Sequence, residues 1–149
     1  MSLFDLIGND GIVITNEENL SIDNALDLTC STLIARGKVK PSYADAIKAT
    51  HKKIGPYYVL APKIAMPHAR PEDGVNETAL QLTVFKKGVD LGSTDNGDVY
   101  FSITLAAVDS DGHLLTIMAL SELFQNDEDI EKIINAEDKV EIIKVLKKY

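Results

Sequence analysis

The chain runs to 149 residues, 45% hydrophobic and 26% charged, enough apolar material for one globular domain with its own core. Its formal net charge is −8 and its Lys and Arg are scattered. This argues against a nucleic-acid or anionic-membrane role, because binding phosphates needs a concentrated basic surface. No stretch approaches the roughly 18 consecutive apolar residues of a membrane span, so no direct membrane insertion is expected.

The opening MSLFDLIGNDGIVITNEENL has no basic start and carries Asp5, Asp10, Glu17 and Glu18, unlike a signal or transit peptide. The β-branched run Ile12 to Thr15 predicts a short strand. Ser21 then reads as an N-cap, followed by Ile22, Leu26, Cys30, Leu33 and Ile34 at helical spacing up to Gly37. Cys30 is the one cysteine, so an internal disulfide is impossible and a reducing cytoplasm is the expected location. A second helix opens at Pro41-Ser42, where Ser42 and Asp45 have the spacing of a capping box. Its apolar face runs Tyr43, Ile47, His51, Ile54, and Gly55-Pro56 ends it.

Strand patterns take over from Tyr57. Tyr58 to Leu60 and Ile64 to Met66 are short apolar pieces around Pro62. Ala79 to Phe85 alternates, with Leu80, Leu82 and Val84 on one face and Gln81 and Thr83 on the other. Val99 to Val108 is apolar on both faces, as a central strand would be. After Ser110-Asp111-Gly112 a helix is expected from about His113 to Phe124. Asn126 or Asp127 caps a short helix through Ile134, and Asn135 caps a last one through Lys147. This order predicts a single-domain α/β (α+β) sandwich over residues 1–149, a central mixed sheet flanked by helices. Strand order is not legible in the pattern.

One segment stands apart, APKIAMPHARPEDGV from Ala61 to Val75. It sets His68, one of three histidines, between Pro67 and Pro71 directly after an apolar run. Each proline pushes the residue before it toward extended backbone, so the loop loses freedom before folding. Such a loop presents a side chain with little entropy left to lose on binding. Neutral imidazole is abundant at pH 7 and nucleophilic at nitrogen, so the frame suits a histidine that attacks something brought to it. Arg70, two residues on, offers a planar cation suited to phosphate oxygens. Stiffness alone does not separate such a histidine from an ordinary surface one in a turn.

The wider segment adds more. IAMPHARPEDGV resembles the active-site segment of the IIA domains of the bacterial phosphotransferase system, mannitol/fructose type. The continuation PHARPEDGV, and GPYYVLAP before it, look most like the ascorbate-type branch, and the similarity covers nearly the whole chain. The resemblance implies a phosphoryl relay. His68 would take the group on Nε2 from the phosphohistidine of HPr and hand it to a cysteine of the cognate IIB, with sugar phosphorylated during uptake through IIC. His113, at a helix start where free N–H groups favour an anion, matches the family's second active-site histidine.

The mannitol-type relatives carry an arginine near the phosphate in the helix before the loop. No arginine lies between Gly37 and Pro67 here, so Arg70, His51 or a lysine is left to stabilise phosphate. His51 falls on the apolar helix face, where histidines are commonly satisfied core residues. Glu72-Asp73 reads as a solvated, turn-forming acidic pair. No Gly-rich phosphate loop, HExxH or metal-ligand spacing is present, so no cofactor and no metal are expected. The sequence is compatible with two other readings. One is a regulatory module of the nitrogen type that senses phosphorylation and binds a target protein. The other is an α/β domain whose histidines are incidental.

Overall fold

The computed structural model describes residues 2–109 and 113–149. Helix α1 spans Leu3–Ile7, closed at its start by a reciprocal box between Ser2 and Asp5. The sequence reading passes over it, because five residues make little more than one turn and show no period. Strand β1 covers Ile12–Thr15 and helix α2 covers Ile22–Ala35, capped as expected by Ser21, whose Oγ accepts from the Asn24 N–H at 3.1 Å.

Helix α3 runs Pro41–Ile54 and stops at Gly55, but its start differs from expectation. The N-cap is Lys40, with Pro41 in the first turn, where a missing N–H costs nothing and the fixed φ suits the helix. Ser42 is therefore already helical, and its hydroxyl donates to the Asp73 carbonyl at 2.8 Å. Asp45 pairs with Lys48 instead of closing a box.

Strands β2 (Val59–Ala61), β3 (Lys63–Ala65), β4 (Ala79–Val89) and β5 (Val99–Ala106) follow. Helices α4 (Leu114–Phe124), α5 (Asp127–Ile134) and α6 (Lys139–Leu146) complete the described chain. Asn126 caps α5 as expected. Asn135 does not cap α6: it closes the C-terminus of α5, and Asp138 caps α6 through the Glu141 N–H at 3.2 Å.

The sheet order is β1-β4-β5-β3-β2. β1 runs parallel to β4 and β3 parallel to β5, while β4–β5 and β2–β3 are antiparallel. The sheet is mixed, and β5 lies at its centre as its apolar run implies. Leu80, Leu82 and Val84 face one core with Phe101 and Ile103 of β5, Leu6 of α1, Leu120 of α4, Ile130 of α5 and Ile142 of α6. On the other side Leu26 and Leu33 of α2 and Tyr43 and Ile47 of α3 form the second core. Each fully buried Leu or Ile contributes on the order of 1.5–3 kcal/mol.

The polar face of β4 is buried too. The Gln81 carboxamide donates to the Leu28 carbonyl at 2.7 Å and accepts from the Thr32 N–H at 2.9 Å, stitching α2 to the sheet. Thr104 of β5 adds a bond to the Thr29 carbonyl at 2.7 Å. A buried amide is tolerated because its hydrogen bonds are made.

Candidate functional site

The histidine loop begins where β3 ends. Met66 N–H still donates to the Tyr58 carbonyl at 2.8 Å, and the Pro67 carbonyl accepts from Leu105 N–H at 3.0 Å. The chain is thus held to its neighbours on both sides up to Pro67, and His68 is the first residue released beyond the C-terminal end of β3. Ala69 is held next: the Tyr43 hydroxyl accepts from its N–H at 2.9 Å and donates to the Leu105 carbonyl at 2.6 Å. A short 3₁₀ turn, Pro71–Asp73, closes the loop. Gly74 follows at φ 134°, where a Cβ would sit 2.6 Å from Ser42 Oγ, so only glycine lets the loop lie against α3.

The half-buried His68 ring is fixed at one nitrogen. Its Nδ1 lies 2.8 Å from the Met66 carbonyl oxygen. A carbonyl only accepts, so Nδ1 carries the proton and Nε2 of the neutral ring keeps its lone pair. Tyr57 stands edge-on to the imidazole, centroids 5.4 Å apart at 78°, and its hydroxyl donates to the His68 carbonyl at 2.5 Å. Burial pushes the Tyr57 phenol up to about 12, so it remains a donor.

His113 is the N-cap residue of α4. Its Nδ1 lies 2.9 Å from the Asp109 carbonyl, and its Nε2 has no hydrogen-bond partner among the described residues. β3 and β5 are adjacent and parallel, so the two histidines emerge beyond the C-terminal ends of neighbouring strands. No hydrogen bond joins them among the described residues. Ser110, Asp111 and Gly112, expected to lead into this helix, lie outside those residues. Leu114, Leu115 and Met118 of the helix that His113 caps are exposed, Leu115 to 75%, as is Val108 after β5.

The two other candidates are placed differently. His51, in the last turn of α3, has Nδ1 2.8 Å from the Tyr58 hydroxyl. Burial lowers its pKa, partly opposed by Asp23, so its neutral form is favoured at pH 7. The rings of His51, Tyr58, Tyr57 and His68 form a row with centroid steps of 5.7, 5.1 and 5.4 Å. Arg70 is 74% exposed and its guanidinium grips Asp73 through Nε (3.3 Å) and Nη2 (3.2 Å). That hydrogen bond holds the Asp73 carboxyl below the usual carboxylate range.

Tyr43, Tyr57 and Tyr58 complete the site and were not singled out by sequence reasoning, although Tyr57 and Tyr58 stand in the quoted GPYYVLAP. Among the described residues no cluster of three His, Cys, Asp or Glu is arranged to hold a metal ion. None of the described helices is long and apolar enough to cross a membrane.

A mixed sheet between two helical layers, with His68 and His113 beyond the C-terminal ends of the parallel pair β3 and β5, defines an α/β domain. Residues 6–149 match the family described as "Phosphoenolpyruvate-dependent sugar phosphotransferase system, EIIA 2", and the chain belongs to that family. It is 35% identical over 134 residues to the ascorbate-specific PTS system EIIA component of Shigella flexneri, covering 89% of this chain and 87% of that protein. Identity to the mannitol-specific cryptic phosphotransferase enzyme IIA component of Escherichia coli K12 is 36% over 122 residues, 82% of each chain. The solution structure of an Escherichia coli mannitol-specific cryptic phosphotransferase enzyme IIA superposes with a TM-score of 0.90, at 32% identity and full coverage of both chains.

Proposed function

We propose that residues 1–149 form one cytoplasmic phosphocarrier domain that receives a phosphoryl group from phospho-HPr on Nε2 of His68 and passes it to a cysteine of a IIB protein. The observation that carries this reading is the 2.8 Å bond from His68 Nδ1–H to the Met66 carbonyl. It leaves the ring's lone pair on Nε2. In the first step that lone pair forms an N–P bond as the N–P bond to the donor imidazole breaks. The proton on Nδ1 stays in place, so the phosphorylated ring is cationic and the Met66 carbonyl stabilises it. In the second step a cysteine thiolate attacks phosphorus and Nε2 takes back its electron pair. A ring still protonated at Nδ1 leaves more readily than a neutral one, so the same hydrogen bond favours both receipt and release.

Phosphoryl transfer asks the protein for alignment and charge stabilisation more than for covalent help. His113 is the proposed partner, donating to phosphate oxygens when protonated, beside the N-terminus of α4 whose free N–H groups favour an anion. Arg70, with Nε and Nη2 on Asp73, has its Nη1 donors left to offer a phosphate oxygen. His51, neutral and bonded to Tyr58, serves better through the row of rings than as a resident charge. Substrate choice lies with IIB and IIC, since the relay gives IIA no contact with sugar. The ascorbate-type wording of the motif and the ascorbate-specific relative support ascorbate. Mixing the protein with phosphoenolpyruvate, enzyme I and HPr tests the reading: it predicts a mobility shift that His68→Ala abolishes.

A further inference from the structure

We infer that Tyr57 is a positioning residue for His68, an inference that rests on the relay proposed above. The Nδ1 bond to Met66 orients the ring only while the His68 peptide itself stays put, and backbone release begins at His68. Tyr57 acts on both motions. Its hydroxyl, 2.5 Å from the His68 carbonyl, fixes the peptide plane that follows the histidine. Its ring, at 78° and 5.4 Å, closes off one side of the imidazole and limits its rotamers.

Tyr57 is itself firmly seated. It lies in the turn after α3, with its N–H on the Gly55 carbonyl at 2.8 Å and the Val59 N–H on Pro56 at 3.1 Å. β2 then runs antiparallel to β3 with Val59 opposite Ala65, and the pairing continues as the Met66 N–H on the Tyr58 carbonyl, so Tyr57, two residues before β2, comes to lie beside the segment that leaves β3. Buried Tyr58 supports the Tyr57 ring edge-on, 5.1 Å between centroids at 80°. The hydroxyl's one hydrogen-bond partner among the described residues is the His68 carbonyl. A side chain placed to fill the core would bury that hydroxyl against the sheet, whereas this one spends it on the histidine.

Tyr57→Phe keeps the ring and removes the donor. Loss of alignment by a fraction of an ångström is expected to lower the rate of transfer from phospho-HPr about tenfold, since a 1 Å misplacement can cost about 10²-fold. The apparent KM for HPr should hold while the turnover rate falls. In ¹⁵N spectra of the unphosphorylated protein, His68 should shift from a single Nδ1–H tautomer toward a mixture, a change that loss of stability alone does not produce. Site-specific 2,3-difluorotyrosine at position 57 gives the same test without a change of shape: the rate should fall as that more acidic phenol ionises and ceases to donate, while wild type shows no such step. A labelled wild type with unchanged rate and unchanged His68 tautomer in Tyr57→Phe overturns this inference alone. A wild type that takes no label overturns the relay and this inference with it.

Discussion

Tyr43→Phe removes one oxygen from beneath the histidine loop, and the structure allows its cost to be worked out. The side chain is fully buried, and its hydroxyl accepts from the Ala69 N–H and donates to the Leu105 carbonyl, with the Ala69 carbonyl a longer contact at 3.3 Å. The N–H and C=O of a strand residue point the same way. Leu105 N–H is already on Pro67, so the Leu105 carbonyl faces the loop and has no partner in β4 to fall back on. Leaving that buried carbonyl unpaired costs about 1–3 kcal/mol, and the half-accessible Ala69 N–H adds about 0.5–1.5 kcal/mol. A loss of about 3 kcal/mol is a large share of the roughly 5–15 kcal/mol that stabilises a domain. With a urea m-value of about 2 kcal/mol/M, the unfolding midpoint should fall by about 1.5 M, read by far-UV circular dichroism. Phosphoryl acceptance should slow as well, because Ala69 is the residue that anchors the loop beyond His68. A midpoint within about 0.3 M of wild type, or about 0.6 kcal/mol at that slope, would refute the assignment of Tyr43 as the loop's anchor.

Two further outcomes follow from the geometry. His113→Ala should still accept a phosphoryl group on His68 but transfer it slowly to IIB; a transfer rate equal to wild type would make His113 a bystander. Asp129 is buried and held below the ordinary carboxylate range by bonds from Lys148 Nζ (2.8 Å) and the Tyr149 hydroxyl (2.5 Å). A depressed pKa stabilises the fold fully above the unfolded carboxylate value of about 3.9, and that contribution is lost as pH falls through the folded value. Asp129→Asn should therefore be less stable than wild type at pH 7, with the gap closing on acidification; a gap independent of pH contradicts the pairing.

What the sequence disclosed was whatever is local. Ser21 and Asn126 cap the helices expected of them, and apolar periods mark β1, β4, β5 and the body of α2. Ser42 and Asn135 misled because cap assignment turns on a single residue: with Pro41 as the first helical residue the cap falls on Lys40, two positions earlier, and Asn135 belongs to the helix it ends. Strand order was hidden because β3 pairs with β5 across an intervening hairpin strand, a choice no local period encodes. His68 was legible through its flanking prolines. The tyrosines that hold it were not, since the destination of a hydroxyl is fixed by tertiary contacts spanning 11 residues for Tyr57 and 62 for Tyr43 to Leu105. The Arg70–Asp73 pair spans only three residues, yet the acidic pair Glu72-Asp73 reads as solvated until the turn is seen.

The central claim is that Nε2 of His68 carries the phosphoryl group, because Nδ1 is committed to Met66. Nuclear magnetic resonance of the ¹⁵N-histidine-labelled protein, after reaction with phosphoenolpyruvate, enzyme I and HPr, reads this directly. The account predicts one phosphohistidine, phosphorus coupled to Nε2 of His68, and none in His68→Ala. Full labelling of His68→Ala, or phosphate on Nδ1 of His68, would contradict it.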